Sequence, residues 1–144
     1  MGTGVSGATI IEQAGQPKGM PMRFRVGDAA AIAKGDLLWY YDGAGQKRAS
    51  GATVTQVAKP FAGIANTEKV ANDGTTNIGC TTCFVADMFT DGGTGIVTGD
   101  RLMLSGANLV CRMPDDNTSG AYIVGYAMED ASAAEKILVR SKNW

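Results

Sequence analysis

Histidine is absent from this 144-residue chain. The chain therefore lacks the commonest general base and the commonest protein ligand for metal ions. Nucleophile arrangements of the Ser-His-Asp or Cys-His kind cannot form within it. These absences count against an enzyme, and we expect no catalytic residues, no cofactor and no metal site.

An excess of charge of one sign is also missing, because 13 basic residues nearly balance 14 acidic ones. The longest basic cluster is Lys47-Arg48, so the electrostatic footprint of a nucleic-acid-binding protein is not present. No apolar run approaches the length of about 18 residues that a membrane helix needs. We therefore expect no direct contact with nucleic acid and none with a membrane.

Cysteine is scarce and occurs at Cys80, Cys83 and Cys111, which fits maturation in a reducing compartment. Cys80 and Cys83 form a lone CxxC pair. In a continuous strand these two side chains would point to opposite faces, and a tetrahedral zinc site would need further ligands. We interpret the three cysteines as structural thiols, with a redox or metal role as the alternative.

Proline is rare, at 4 residues, whereas glycine is frequent, at 20. Apolar and charged residues alternate in Met22–Val26, whereas Leu37–Tyr41 is apolar and aromatic throughout. Segments of these two kinds between glycine-containing turns predict short strands. The chain length fits one domain. We predict an all-β fold, a small compact β-barrel or sandwich with at most short helices.

The most informative pattern is an internal repeat. Residues 32–40 recur as residues 96–104, residues 61–65 recur as 123–127, and residues 77–80 recur more weakly as 136–139. The order of the landmarks is kept and their spacing shrinks slightly, as expected of two copies with shortened loops. We therefore predict a single β domain over residues 23–144, built from half-repeats at about 27–90 and 91–141.

Each copy contains a Gly-Asp pair before a hydrophobic strand, Gly35-Asp36 in the first and Gly99-Asp100 in the second. Glycine adopts positive φ easily, and aspartate bonds nearby backbone N–H groups. The pair can reverse the chain and start the next strand in a fixed register. We interpret both pairs as structural turns and not as catalytic groups.

Residues 1–22 differ in composition from the rest of the chain. Five glycines interrupt any regular pattern there, and Pro17 and Pro21 exclude a continuous helix. Such a segment cannot build its own core. We expect a flexible N-terminal arm that becomes ordered on a neighbouring molecule, with a frayed terminus as the alternative.

Two short segments admit other functions. Trp39-Tyr40-Tyr41 could offer an aromatic platform for bases or sugars, although no basic residues surround it. Thr67-Glu68-Lys69-Val70 faintly resembles the modified-lysine hairpin of lipoyl or biotinyl carrier domains, but Lys69 lies far from Gly35-Asp36 in sequence. The alternative interpretation is that both segments have only a structural role.

The order of these motifs resembles the small capsid decoration, or cement, proteins of tailed bacteriophages. The resemblance covers roughly residues 23–141, and no single motif is specific by itself. The matching segments are Gly35-Asp36 with its strand, residues 61–65, an apolar segment ending near Met88, residues 99–102, and residues 124–131 before the terminal strand 137–140.

The resemblance implies a structural virion protein that is made in the host cytoplasm and binds the outer surface of the capsid. Such a protein stabilises the expanded shell by bridging neighbouring subunits of the major capsid protein, commonly as a homotrimer. An extended arm could add a strand to a sheet edge of the shell. The candidate capsid-binding residues are Thr3, Val5, Thr9, Ile10 and Ile11. The alternative is another virion β module, such as a tail or fibre component or a carbohydrate-binding domain.

Overall fold

The computed structural model describes most of the chain. The described residues are 7–13, 22–29, 31–41, 46–49, 61–106, 108–115 and 122–141. They form eleven strands and no α-helix, which confirms the predicted all-β fold. In this part of the chain no helix has the length and apolar character needed to cross a membrane.

The strands are short, between three and seven residues. In chain order they are β1 (Thr9–Gln13), β2 (Met22–Val26), β3 (Leu37–Tyr41), β4 (Gln46–Ala49), β5 (Phe61–Ala65), β6 (Asn77–Thr81), β7 (Phe84–Thr90), β8 (Arg101–Gly106), β9 (Leu109–Arg112), β10 (Gly125–Ala127) and β11 (Lys136–Ser141).

Strands β2 to β6 form a closed barrel, with the order β2-β4-β3-β5-β6. The pair β2–β4 is parallel, and the other pairs in the barrel are antiparallel. Inward-facing apolar side chains fill it, as alternation along half-buried strands requires. The core residues of this barrel are Val26, Ile32, Leu38, Ala62, Ala65, Ile78 and Cys80.

Strands β7 to β11 repeat the same pairing scheme in a six-stranded sheet, with the order β1-β7-β11-β10-β8-β9. A parallel pairing of β7 with β9 curls this sheet back on itself and corresponds to the parallel pair β2–β4. Strands β2 to β6, which we call the first half, therefore match β7 to β11, the second half. The additional strand β1 has no counterpart in the first half among the described residues.

The boundary between the halves differs from the expected one. Strand β7 belongs to the second half, although the sequence placed residues 84–90 in the first, and β2 begins the first half before residue 27. The chain passes from one half to the other at Thr82 and Cys83. The sequence repeat begins after β2 and β7 because these two strands occupy equivalent positions without similar residues.

The N-terminal arm also differs from the expectation. Residues 9–13 form β1, which pairs antiparallel with β7 from Thr9 opposite Asp87 to Gln13 opposite Phe84. Strand β9 pairs with β7 only at Phe89 and Thr90, so β1 occupies a part of β7 that β9 does not reach. This stretch is therefore a strand of the body and not a free arm. The expected arm residues 1–6 and 14–21 lie outside the described residues.

The two halves share one main apolar core. Leu37, Trp39 and Ile64 from the first half belong to the same buried cluster as the inward-facing residues of the second half. Phe61 and Phe84 meet across the boundary in an edge-to-face contact, with ring centroids 6.2 Å apart. Burial of this shared surface holds the halves together.

Candidate functional site

Both glycines of the repeated pair adopt the left-handed backbone conformation, with φ of 94° at Gly35 and 97° at Gly99. Each N–H donates to a carbonyl of a neighbouring strand at 2.8 Å, Gly35 to Ala65 and Gly99 to Ala127. A residue with a Cβ would be strained at either position. The two turns therefore have the same backbone structure.

Both aspartates accept a hydrogen bond from their own turn. Asp36 Oδ2 accepts from the N–H of Ala33 at 2.8 Å, and Asp100 Oδ2 accepts from the N–H of Val97 at 2.9 Å. An Asp side chain in a turn commonly accepts a hydrogen bond from the backbone N–H of a nearby residue, here the residue three positions earlier. The carboxylates shape the chain at the start of β3 and β8.

The candidate capsid-binding residues occupy different environments. Thr3 and Val5 lie outside the described residues. Thr9 is exposed at the start of β1, whereas Ile10 is half-buried and packs on the main core. In this arrangement Ile10 stabilises the body, and Thr9 is the side chain that a partner could contact.

Ile11 lies at an irregularity in β1. The register with β7 shifts between Ile10 and Glu12, which is the signature of a β-bulge, and only the backbone of Ile11 is described. Regular pairing is confined to residues 9–10 and 12–13. The bulge bends the strand without ending it.

Strand β1 stands at the end of the sheet order. In the described part of the chain, its outer edge faces no other strand, whereas the first half is closed and has no terminal strand. An edge strand presents backbone N–H and C=O groups that can pair with another chain. Strand β1 is therefore the candidate binding edge of this protein.

The residues before β1 are fixed to the first half. The N–H of Ala8 donates to the carbonyl of Gly35 at 2.6 Å, and a Cβ on Gly7 would lie 2.0 Å from the Gly35 oxygen. Only glycine fits at position 7 because the two backbones touch. The N-terminal segment thus contacts the first half through Gly7 and Ala8 and the second half through β1.

Asn108, in the turn between β8 and β9 of the second half, forms hydrogen bonds with the first half. Its Oδ1 accepts from the N–H of Leu37 at 3.0 Å, and its Nδ2 donates to Asp36 Oδ1 at 2.9 Å. Its φ is 59°, a conformation that asparagine tolerates better than most residues. The sequence reasoning missed this residue, although Gly106-Ala107-Asn108 between two apolar runs is a hairpin-turn signal.

Lys69 is not placed for attachment of a carrier group, since its side chain is fully buried. Its Nζ donates to the carbonyl oxygens of Asp28 at 2.6 Å and Val70 at 3.1 Å. The carboxylates of Asp28 and Asp73 lie 3.7 Å and 3.4 Å from it. A lysine modified on a hairpin must be reachable by an enzyme, so the resemblance to carrier domains fails at this residue.

The hydrogen bonds of Asp73 hold the same loop. The backbone N–H of Thr75 donates to it at 2.9 Å and is the main cause that lowers the pKa of the Asp73 carboxyl, with Lys69 contributing further. Lys69 therefore ties residues 66–75 to the turn at Asp28, and Asp73 pairs with Lys69 within that loop.

The adjacent acidic residues Glu129 and Asp130 serve separate backbone groups. Glu129 Oε2 accepts from the N–H of Leu138 at 2.6 Å. Asp130 Oδ1 accepts from the N–H and the hydroxyl of Thr98 at 2.7 Å and 2.9 Å. The Thr98 N–H and then its hydroxyl lower the pKa of the Asp130 carboxyl. This pair does not form an acid/base dyad, because each carboxylate has its own structural partner.

The CxxC cysteines do not share a strand. Cys80 is buried in β6, and Cys83 is half-buried just before β7. Cys111 is buried in β9, and within the described ranges none of the three cysteines forms a disulfide. Within the described ranges, no group of three or more His, Cys, Asp or Glu side chains is placed to hold a metal ion.

The aromatic residues contribute to packing. Trp39 is 7% exposed, and its indole N–H has no partner among the described residues. Lys136 lies over the ring of Phe89 and Arg140 over that of Tyr126, each 5.3 Å from the centroid. Both are cross-strand partners, so these cation–π contacts stabilise the outer face of the second half. Trp39 does not form an exposed platform for sugars or bases.

No protein-family model matches the chain, and no curated protein matches it significantly.

Proposed function

We propose that this protein decorates the outer surface of a bacteriophage capsid and stabilises the expanded shell by bridging neighbouring subunits of the major capsid protein. The motif order that resembles decoration proteins supports this function. The body of two fused β modules supports it as well, because the carboxylates of Asp36, Asp100 and Glu129 accept hydrogen bonds from backbone N–H groups and so have structural roles. The proposed partner is the major capsid protein, and the proposed assembly on the shell is a homotrimer.

The observation that carries the proposal is the edge strand β1. It is the terminal strand of the described sheet, and it lies at the N-terminal end of the chain. An extended segment of the shell could pair with it and continue the sheet, which gives main-chain hydrogen bonds with little demand on sequence. Thr9 is exposed there, while Ile10 anchors the strand to the core.

This arrangement changes how the N-terminal region would work. A free arm would have to become ordered on the shell, which costs roughly 1–2 kcal/mol for each residue fixed. Because β1 is already paired with β7, residues 9–13 are ordered before binding. Three such edges in a homotrimer would also raise the effective affinity through simultaneous engagement.

Two truncations test the proposal in cosedimentation with expanded, DNA-free shells. A chain lacking residues 2–13 should stay in the supernatant, whereas a chain lacking residues 2–6 keeps β1 and should sediment with the shells. Ile10→Ala is the matched control, because it weakens the packing of β1 but keeps the backbone that pairs. Circular dichroism establishes that each variant is folded.

Shell binding by the chain without residues 2–13, at the level of the full protein, would contradict the role of β1. Failure of the full protein to bind any shell, together with binding to a glycan, would instead indicate the carbohydrate-binding alternative.

A further inference from the structure

One row of side chains in the first half lies in the contact between the halves. Leu37, Ile64 and Thr81 are cross-strand neighbours on β3, β5 and β6, and all three are fully buried. Leu37 and Ile64 belong to the main core that both halves share and not to the core inside the first barrel. The outward side of this row is therefore covered by the rest of the molecule.

The equivalent row in the second half is Arg101, Tyr126 and Arg140, which we call the Tyr126 row. These residues are cross-strand neighbours on β8, β10 and β11 in the same register, and each is half-buried. Residues directly opposite each other in an antiparallel pair point to the same side of the sheet. The two arginines therefore flank the tyrosine, with their Cα atoms roughly 10 Å apart.

The face around the Tyr126 row has an excess of positive charge. Strands β7, β8, β10 and β11 carry three cations, Arg101, Lys136 and Arg140, and one carboxylate, Asp87. Lys136 and Asp87 lie on the same side of the sheet as Arg140, since Lys136 and Arg140 alternate along β11 and Asp87 is opposite Leu138 between them. Within the described ranges, no ion pair includes any of these three cations.

The residue types of the row suit a polar interface. Arginine and tyrosine are enriched where proteins bind each other, and a guanidinium offers paired N–H donors that match the two oxygens of a carboxylate. The Arg140 guanidinium lies 5.3 Å from the centroid of the Tyr126 ring, so its position is already restricted before binding. A segment that carries carboxylates is therefore complementary to this face in charge and geometry.

The row also continues to the edge of the sheet. Arg140 is opposite Val85 on β7, and Val85 is opposite Glu12 on β1. Arg140 thus lies two strands, roughly 10 Å, from the edge strand of the proposed function. One partner can contact the edge and the row together.

We propose that the Tyr126 row binds an acidic segment of a partner protein, with carboxylates seated on Arg101 and Arg140. The inference rests on the proposed function for the identity of that partner, which is then the major capsid protein. The row supplements the edge of β1, because side-chain charge pairs add specificity to main-chain pairing that makes little demand on sequence.

Fluorescence anisotropy of a labelled poly-glutamate peptide tests the proposal on the free protein. The wild-type protein should bind the peptide, and Arg101→Gln/Arg140→Gln should weaken binding about 10-fold, because partly exposed charge pairs contribute modestly. Raising the salt from about 0.1 M to about 1 M shortens the Debye length from about 10 Å to about 3 Å, so the wild-type affinity should fall toward that of the variant. Arg25→Gln/Lys34→Gln is the matched control, because it removes two exposed cations of the first half and should leave binding unchanged.

Peptide binding by the Arg101/Arg140 variant at the wild-type level, or an equal loss in the control, would overturn the proposal. Tighter binding of a single-stranded oligonucleotide than of the peptide would also overturn it, in favour of a nucleic acid. Matching thermal melts would show that the glutamine variants keep the fold.

Cosedimentation with expanded shells separates this inference from the proposed function. The Arg101/Arg140 variant should bind shells more weakly than the control variant does. Equal shell binding by the two variants would refute the inference alone. Arginine-dependent binding of the peptide without binding to any shell would refute the proposed function and keep the acidic partner.

Discussion

Single polar side chains in turns join parts of the chain that are distant in sequence. Asn108 bonds the start of β3, Lys69 bonds Asp28, and Asp130 bonds Thr98. A turn has no ladder of backbone hydrogen bonds, so the N–H and C=O groups that packing withdraws from water need such partners. Substitutions of the partly buried Asn108 and the exposed Asp130 should therefore affect stability more than their exposure suggests.

Asn108→Gly should lower the free energy of unfolding by about 1–2 kcal/mol, because two hydrogen bonds between the halves are lost. Glycine keeps the positive φ, so backbone strain does not contribute. Asn72→Gly is the matched control, since Asn72 has the same φ of 59° but lies in a loop of the first half. It should change the stability by no more than about 0.5 kcal/mol in urea unfolding. Equal effects of the two substitutions would contradict the role of the Asn108 amide.

The Asp130 carboxyl should titrate below its ordinary pKa of about 3.9, because the charged form accepts two hydrogen bonds from Thr98. A folded-state pKa below the unfolded value means that the carboxylate stabilises the fold above the ordinary pKa. That contribution is lost as the pH falls through the lowered pKa.

The amide chemical shift of Thr98, followed by NMR against pH, measures this titration directly. Asp130→Asn should abolish the acidic transition at Thr98. A transition at or above the ordinary pKa of aspartate would show that the hydrogen bonds do not favour the charged form.

At the scale of strands, the N-terminal segment holds the two halves together as well as extending one sheet. Strand β1 of this segment pairs with β7, while Gly7 and Ala8 contact the turn at Gly35. The close approach at Gly7 is the most restrictive point, because a Cβ there would lie 2.0 Å from a backbone oxygen.

Gly7→Ala should therefore displace the start of β1 and lower the stability by about 1–3 kcal/mol. Hydrogen exchange of the β1 amides measures the displacement, with reduced protection expected from Thr9 onward. Gly95→Ala is the control, because the nearest atom to its added Cβ would be 3.9 Å away. Unchanged protection of β1 in the Gly7 variant would show that the segment can bind without this contact.

The sequence predicted local structure better than long-range pairing. The Gly-Asp turns and the apolar strands that follow them depend on neighbouring residues, so β3 and β8 could be recognised as equivalent. Strands β2 and β7 are also equivalent, but their antiparallel partners β6 and β11 lie 47 residues (Phe89 to Lys136) to 58 residues (Met22 to Cys80) later in the chain. Periodicity cannot identify such partners.

The pairing of β1 and the role of Asn108 were not predictable for the same physical reason. Strand β1 is stabilised by pairing with residues of β7 that lie 71 (Gln13 to Phe84) to 78 (Thr9 to Asp87) residues later in the chain. Asn108 bonds a turn that lies 72 residues earlier in the chain. Both features arise from how the halves pack, which single-sequence patterns do not encode.

At the scale of the whole molecule, the two halves should unfold together. The main core contains residues of both, including Trp39 from the first half and Phe84 from the second. Separation of the halves would expose this shared surface to water, so neither half is an independent cooperative unit.

Urea unfolding of a Trp144→Phe variant should give the same midpoint by Trp39 fluorescence and by far-ultraviolet circular dichroism. Trp39 reports the contact between the halves, and circular dichroism reports all strands. Two separated midpoints would contradict a single shared core.

Cosedimentation with expanded and unexpanded capsid shells tests the proposed function most directly. The account predicts that the full protein binds the expanded shell in a saturable manner and that removal of residues 2–13, but not of residues 2–6, abolishes binding. Saturable binding that survives the loss of β1, or no binding to any shell, would contradict it.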